Sequence, residues 1–206
     1  MKSARHKLLN SAKVKGYKVV SCYDFFDIGD YKTVNKALER LVATGELRRL
    51  CKGLYGICDR KVLRSEQRCF SDDQISSALS RKYGWVIAPD GASAANSLGL
   101  APRNNHVETT YVSNGPYKRY EINGRSICFK RQCGRYLEKL SPLTLLYVEA
   151  MKKVGNSKLS NGDLKSSVER LGKRERALLS KEKNETPPWI RKRLAEVLSS
   201  ISLENE

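Results

Sequence analysis

The segment spanning residues 21–57 constrains the fold more than any other part of this chain. Ser21, followed three residues later by Asp24, is a variant of the capping box and predicts a short helix through Phe26. A glycine-containing turn comes next, and Asp30 is placed to cap a second helix. The segment therefore predicts two helices joined by a tight turn.

The second helix is predicted from Tyr31 to Thr44, and Gly45 is its expected C-terminal stop. Its apolar residues recur at i, i+3, i+4 and i+7, so they form one stripe. The opposite face is polar and suits a helix in the major groove of DNA, where Asn can pair with adenine and Lys or Arg with guanine. A solvated surface helix shows the same polarity, so the residues that follow decide between the two. The stripe consists of Val34, Ala37, Leu38 and Leu41. The predicted DNA-contact residues of the helix are Tyr31, Lys32, Thr33, Asn35, Lys36 and Arg40.

A basic hairpin is predicted directly after this helix. Residues 46–51 form its first strand, a Lys-Gly pair the turn and residues 54–57 the return strand. Together with a first helix predicted at residues 8–20, these elements make a winged helix-turn-helix. Basic residues on such a wing contact phosphates, which gives affinity without sequence information. The predicted wing contacts are Arg48, Arg49 and Lys52.

The charge of the chain indicates its partner. The 206 residues include 39 Lys and Arg against 22 Asp and Glu, a formal net charge of +17, and such a surface attracts polyanions. The first 70 residues hold 16 basic and 7 acidic side chains, so they carry just over half of the net charge. No apolar stretch approaches the ~18–20 residues that span a bilayer, so we expect no membrane segment and a cytoplasmic location.

No catalytic template fits the sequence. Ser93 lacks the second glycine of a nucleophile elbow, Asp90 is placed as a helix cap, and no Walker or dinucleotide-binding motif occurs. The six cysteines include no CxxC pair, and there are two histidines, so no zinc site is predicted. Cys51 and Cys58 lie on the predicted hairpin, where a disulfide is conceivable, although reduced thiols are the expected state in a cytosolic protein. We therefore predict no enzymatic activity, no cofactor and no metal.

The expected fold class is α+β, with a winged helix-turn-helix at residues 1–65 and an α/β domain at residues 66–206. The second domain is predicted to contain a small antiparallel sheet and a helical tail. Its strands are expected at 84–88, 107–113, 118–122 and 126–131, the last two joined by an Asn-Gly turn. Its helices are expected at 72–83, 92–98, 142–154, 163–171, 173–183 and 188–201.

Several short motifs occur in order between residues 20 and 135. The second domain contains Ile-Ala-Pro-Asp-Gly at 87–91, Tyr-Val-Ser-Asn-Gly-Pro at 111–116 and Phe-Lys-Arg at 129–131. The first contains Gly-Asp-Tyr at 29–31 and a hairpin with Leu-Arg-Arg and Lys-Gly-Leu-Tyr at 47–55. Together these motifs resemble the AbiEi family of type IV antitoxins, most closely its short, DUF6088-like members.

The resemblance implies a repressor and antitoxin. The first domain would bind double-stranded operator DNA and repress its own operon, and the second would counteract a nucleotidyltransferase-like toxin without a stable complex. A monomer or weak dimer is expected. Basic residues of the second domain's hairpin could form an antitoxin or anion-binding patch, and a solvated strand face fits them equally well. These residues are Lys118, Arg119, Arg125, Lys130 and Arg131.

Two other functions stay open from the sequence. One is a stand-alone winged-helix transcription regulator whose second domain senses a ligand or mediates assembly. The other is a nuclease of a mobile element. A neighbouring nucleotidyltransferase gene would distinguish the antitoxin from the lone regulator, and metal-dependent cleavage by the pure protein would indicate the nuclease.

Overall fold

The computed structural model describes residues 4–58, 70–101, 108–132, 137 and 139–203 of the chain. These residues form helices and two small sheets, which confirms a mixed α+β fold. The chain divides into two compact units, Met1–Trp85 with Tyr120–Ile127 and Val86–Arg119 with Cys128–Glu206. The predicted domain boundary after residue 65 lies outside the described residues.

The first unit contains helices around a three-stranded sheet. The strand order is β1-β3-β2, and β3 pairs antiparallel with both neighbours. Its elements are α1 (Ala4–Val14), β1 (Val19–Val20), a one-turn 3-10 helix (Cys22–Phe25), α2 (Tyr31–Ala43), β2 (Leu47–Cys51), β3 (Leu54–Ile57) and α3 (Asp72–Tyr83).

The helix predicted at residues 8–20 is wrong in its second half. Helix α1 ends at Val14, and Gly16 then turns the chain with a φ of +68°. The next residues, Val19–Val20, pair with β3 as a short strand. Two adjacent β-branched residues favour this extended pairing over a continued helix.

Helix α2 forms as its sequence predicts. Asp30 caps its N-terminus by accepting a hydrogen bond from the Thr33 backbone N–H at 3.2 Å. Hydrogen bonding from Thr33 lowers the pKa of the Asp30 carboxyl below its usual value. Gly45, with a φ of +73°, follows the last turn. All four residues of the apolar stripe are buried in the core that α1, α2 and the sheet share.

The β2–β3 hairpin places its two cysteines at opposite ends. Cys51 lies beside the turn, opposite Leu54, whereas the N–H of Cys58 donates to the carbonyl oxygen of Glu46 at the far end. Both are free thiols, so the conceivable disulfide does not form. Burial raises the pKa of each thiol above its usual value and keeps it protonated.

Asp24 fixes the 3-10 helix within the first unit. Its carboxylate accepts hydrogen bonds from the Ser21 N–H and from Nε of Arg81, each at 2.7 Å, and its side chain is only 3% exposed. Arg81, on α3, also donates to the Val19 carbonyl oxygen at 2.8 Å and lies over the Tyr17 ring at 3.8 Å from its centre. Arg81 therefore joins α3 to the 3-10 helix through an ion pair and to β1 through a hydrogen bond.

The rest of the described chain contains a four-stranded sheet, in the order β4-β5-β7-β6, and a group of helices. Strand β4 starts later than predicted, because Gly84 first ends α3 with a φ of +67°. The turn at Asn123–Gly124 forms as predicted, with both residues at positive φ. No helix of the described residues is long and apolar enough to cross a membrane. The elements are β4 (Ile87–Pro89), α4 (Gly91–Leu98), β5 (Glu108–Ser113), β6 (Lys118–Ile122), β7 (Arg125–Arg131), α5 (Pro142–Val154), α6 (Asn161–Glu169), α7 (Lys173–Glu182), a second 3-10 helix (Lys183–Glu185) and α8 (Pro188–Leu203).

Helix α4 packs closely on α5, as its small residues predict. A Cβ atom at Gly91 would lie 2.8 Å from Cβ of Lys153 and 3.1 Å from the carbonyl oxygen of Glu149. Ala94 and Ala95 are fully buried in the same contact. Close helix packing therefore accounts for the run of small side chains.

A carboxylate at the end of α7 binds Ser141, the N-cap residue of α5. Glu182, at the end of α7, accepts hydrogen bonds from the N–H of Ser141 at 3.0 Å and from its hydroxyl at 2.7 Å. Burial acts to raise the pKa of Glu182, but hydrogen bonds from Thr144 and Ser141 outweigh it and lower the pKa below its usual value. The ionised carboxylate is therefore the form that this contact favours.

Substitution of Asp24 tests the role of the buried ion pair. Asp24→Ala removes the partner of Arg81 and of the Ser21 N–H, so we expect a loss of about 2–4 kcal/mol in the free energy of unfolding. The matched control is Asp27→Ala, because that carboxylate is 59% exposed and 3.4 Å from Lys15. It should cost about 0–1 kcal/mol. Urea unfolding followed by circular dichroism measures both, and equal losses would contradict the assignment.

Candidate nucleic-acid interface

Helix α2 carries a row of like charges on its outward side. Lys32, Lys36 and Arg40 are spaced by four residues, so they lie along one side over about 12 Å of helix. All three are exposed, and none forms an ion pair with another described residue. Like charges at this spacing destabilise a helix by about 0.2–0.5 kcal/mol per pair. An anion covering the row would remove this cost.

The neighbouring row of side chains on α2 combines aromatic, polar and acidic residues. Tyr31 and Asn35 lie one turn apart, the tyrosine exposed and the asparagine half-buried. Glu39 continues the same row and is exposed, although it was not among the predicted contact residues. Glu39 follows Asn35 by four residues, and this spacing is the sequence signal that places the two side chains on the same row of the helix. Thr33 is exposed on the other flank of the cationic row.

Arg49 on β2 pairs with Tyr55 on β3, whose side chain is buried in the core that it shares with α2. Burial raises the pKa of the Tyr55 hydroxyl above its usual value, while the charge of Arg49 acts to lower it and that of Glu39 to raise it. Arg49 is exposed and lies opposite Tyr55 in the β2–β3 pairing. We call the outward face of α2 together with Arg49 the α2–hairpin surface.

The guanidinium of Arg48 does not belong to the α2–hairpin surface. It donates a hydrogen bond to Oδ1 of Asn123 at 3.1 Å, within the turn between β6 and β7. Consecutive residues of a strand point to opposite faces, so Arg48 and Arg49 leave the hairpin on different sides. Of the two predicted wing arginines, the structure brings Arg49 to the α2–hairpin surface and ties Arg48 to Asn123.

Helix α3 holds the tip of the hairpin. Lys52 is exposed in the turn, and its carbonyl oxygen accepts a hydrogen bond from Nζ of Lys82 at 2.8 Å. Gly53 adopts a φ of +73° there, and a Cβ atom at this position would lie 3.0 Å from the same Nζ. Lys82 therefore places a second ammonium group at the tip. No local pattern indicates this contact, because the two lysines are 30 residues apart.

The five basic residues of the predicted anion-binding patch are not gathered on one face. Arg125 pairs with Asp72 at 3.1 Å and donates to the Phe70 carbonyl oxygen at 2.9 Å. The other four are exposed and form two consecutive pairs, one on β6 and one on β7. Side chains alternate between the faces of a sheet, so each pair is split between the two faces. The split pairs are Lys118 with Arg119 and Lys130 with Arg131.

Motif residues of the second unit make hydrogen bonds within its fold. Asp90 accepts from the Ser93 N–H at 3.1 Å, which confirms its predicted role as a helix cap, and its own N–H donates to Thr110 at 2.9 Å. Asn114 and Val86 exchange two hydrogen bonds, of 2.9 and 3.3 Å. Among the described residues, no three His, Cys, Asp or Glu side chains are grouped to hold a metal ion.

The family of the chain follows from comparison with known proteins. A family model described as "Family of unknown function (DUF6088)" matches residues 6–184. The chain belongs to this family. The DUF6088 match includes α2, the β2–β3 hairpin and α3, so the whole α2–hairpin surface lies within it. A search of curated proteins gave no match. The description of the DUF6088 family names no activity, so the likeness to AbiEi antitoxins stays a prediction.

Proposed function

We propose that this DUF6088 protein binds double-stranded DNA, with helix α2 in the major groove and the β2–β3 hairpin against the phosphate backbone. The observation that carries the proposal is the cationic row of α2, exposed and without a carboxylate partner among the described residues, together with the exposed Arg49 on the hairpin that follows. Duplex DNA presents phosphates at regular spacing on both sides of a groove that admits a helix. Its binding would remove the repulsion within the row.

The order of elements supports a winged helix-turn-helix as the binding module. A first helix, a short helix and α2 are followed by a hairpin, and a three-stranded sheet closes the core. In such modules the residues near the start of the second, groove-binding helix reach base edges. Lys32, Thr33 and Asn35 occupy these positions. Lys36, Arg40 and Arg49 would neutralise phosphates.

We further propose that DNA binding serves autoregulation by an antitoxin. The support is the resemblance of the motifs to AbiEi antitoxins, in which the second domain counteracts a nucleotidyltransferase-like toxin. Asp90 and Asn114 of those motifs make hydrogen bonds that organise the second unit. The resemblance thus supports a shared architecture for this unit.

The two wing arginines form a matched pair for testing DNA binding. Arg49→Ala should weaken binding to every duplex alike and reduce the slope of log K against log salt by about one, because one phosphate contact is lost. Arg48→Ala removes the same charge but from a guanidinium bound to Asn123, so the slope should stay close to wild type. Fluorescence anisotropy with the duplex upstream of the gene, over a salt series, measures both slopes. Equal changes in the two variants would contradict the assigned orientation.

Co-expression with the adjacent gene tests the antitoxin proposal. We expect that gene to stop growth when expressed alone and this protein, from an independent promoter, to restore growth. The independent promoter matters because repression of the native operon would otherwise also lower toxin levels. A toxic neighbour without rescue would leave a DNA-binding regulator, and metal-dependent cleavage of DNA or RNA by the pure protein would support a nuclease.

A further inference from the structure

Three exposed aromatic rings form a cluster at the junction between the 3-10 helix and α2. Tyr23, Phe26 and Tyr31, here called the aromatic cluster, are 48%, 52% and 52% exposed. The rings of Tyr23 and Phe26 meet edge-on with centres 5.2 Å apart, and those of Tyr23 and Tyr31 lie 6.5 Å apart. Aromatic side chains that stay half-exposed in a group are typical of surfaces that bind a partner.

The cluster is carried by a firmly held part of the first unit. Asp24, between two of the rings in sequence, is fixed by Ser21 and Arg81. Nζ of Lys15 donates to the Asp24 carbonyl oxygen at 2.8 Å and to Asp27 at 3.4 Å. The rings therefore stand on a backbone that is already ordered, and little conformational entropy would be lost when they bind.

The charges around the cluster favour a polyanion over a second copy of the chain. Of its two nearby exposed carboxylates, Asp27 is paired with the ammonium group of Lys15, and Asp30 accepts a hydrogen bond from the Thr33 N–H as the cap of α2. Lys32, adjacent to Tyr31, has no carboxylate partner among the described residues. A second copy would bring the same cationic row and a net charge of +17 toward this face, whereas DNA brings phosphates.

We infer that the aromatic cluster contacts the C5-methyl groups of thymines in duplex DNA, an inference that rests on the proposed DNA binding. The thymine methyl is the apolar group that a base pair displays in the major groove, and a phenyl ring is a suitable contact for it. The cluster lies at the start of α2, the end of a groove-binding helix that reaches base edges. The hydroxyls of its tyrosines can donate to neighbouring phosphates. The cluster would thus add a preference for thymine that hydrogen bonds alone do not supply.

Replacement of thymine by uracil isolates this contact. Uracil keeps the charge and the hydrogen-bonding edge of thymine and lacks only the methyl group. The duplex upstream of the gene can be amplified with either nucleotide and compared by fluorescence anisotropy at one salt concentration. Wild-type protein should bind the thymine duplex more tightly, by about fourfold for each methyl group that the cluster buries.

Two variants assign the preference to the cluster. Phe26→Ala should bring the ratio of the two affinities toward one, and Tyr23→Ala provides the same test should Phe26→Ala fail to fold. The matched control is Lys36→Ala, which should weaken binding to both duplexes and leave the ratio unchanged. A second control is Tyr117→Ala, which changes a 62% exposed aromatic residue outside the cluster. It should alter neither the affinity for either duplex nor the ratio of the two affinities.

The possible failures are distinguishable. A protein that binds neither duplex would overturn both the proposed function and this inference. Normal DNA binding with a ratio of one in the wild type, or an unchanged ratio in both cluster variants, would overturn the inference alone. A change from dimer to monomer in Phe26→Ala during sedimentation, with the ratio unchanged, would assign the face to a second copy and also overturn it.

Discussion

The first unit depends on the contact between Asp24 and Arg81. A carboxylate that is nearly inaccessible to solvent must be paired, and this one receives both a guanidinium and a backbone N–H. The same arginine reaches the Val19 carbonyl oxygen and so ties α3 to β1. Next to it in sequence, Lys82 binds the tip of the hairpin. Two consecutive residues of α3 therefore position the 3-10 helix, the sheet edge and the hairpin around α2.

The fold sorts the positive charges of the first unit into two groups. Arg81, Lys82, Arg48 and Arg125 make hydrogen bonds within the unit. The cationic row of α2, together with Arg49, faces outward instead. Lys7, Lys13, Lys18 and Lys52 are exposed as well, so net charge alone does not identify a binding surface. The regular spacing of the cationic row on α2, next to the exposed Arg49, supports assigning DNA binding to the α2–hairpin surface.

Local sequence signals predicted the local structure well. The cap at Asp30, the apolar stripe and the stop at Gly45 together define α2, because each acts within a few residues. The Asn-Gly turn likewise fixed the second hairpin. The end of α1 was misjudged because a lysine-rich stretch shows weak periodicity, and the pairing of Val19–Val20 with β3 depends on residues far along the chain.

The helix and the hairpin of the candidate site could be predicted from the sequence. The residues that its basic side chains contact could not. Arg48 and Arg49 are equivalent in the sequence, and they differ because one meets Asn123, 75 residues away. Arg125, predicted as part of the anion-binding patch, similarly forms an ion pair with Asp72. Such long-range contacts leave no periodic pattern in the sequence. Whether a basic side chain is free to bind an external anion therefore has to be read from the folded structure. The aromatic cluster is visible as residue types in the sequence, yet its exposure is a property of the fold.

The most direct test of the account is the salt dependence of DNA binding by the wild-type protein. The duplex upstream of the gene is titrated at a series of salt concentrations, and log K is plotted against log salt. Neutralisation of three phosphates by Lys36, Arg40 and Arg49 predicts a slope of about −3. A slope near zero, or no binding at low salt, would contradict the claim that this surface binds the phosphate backbone of DNA.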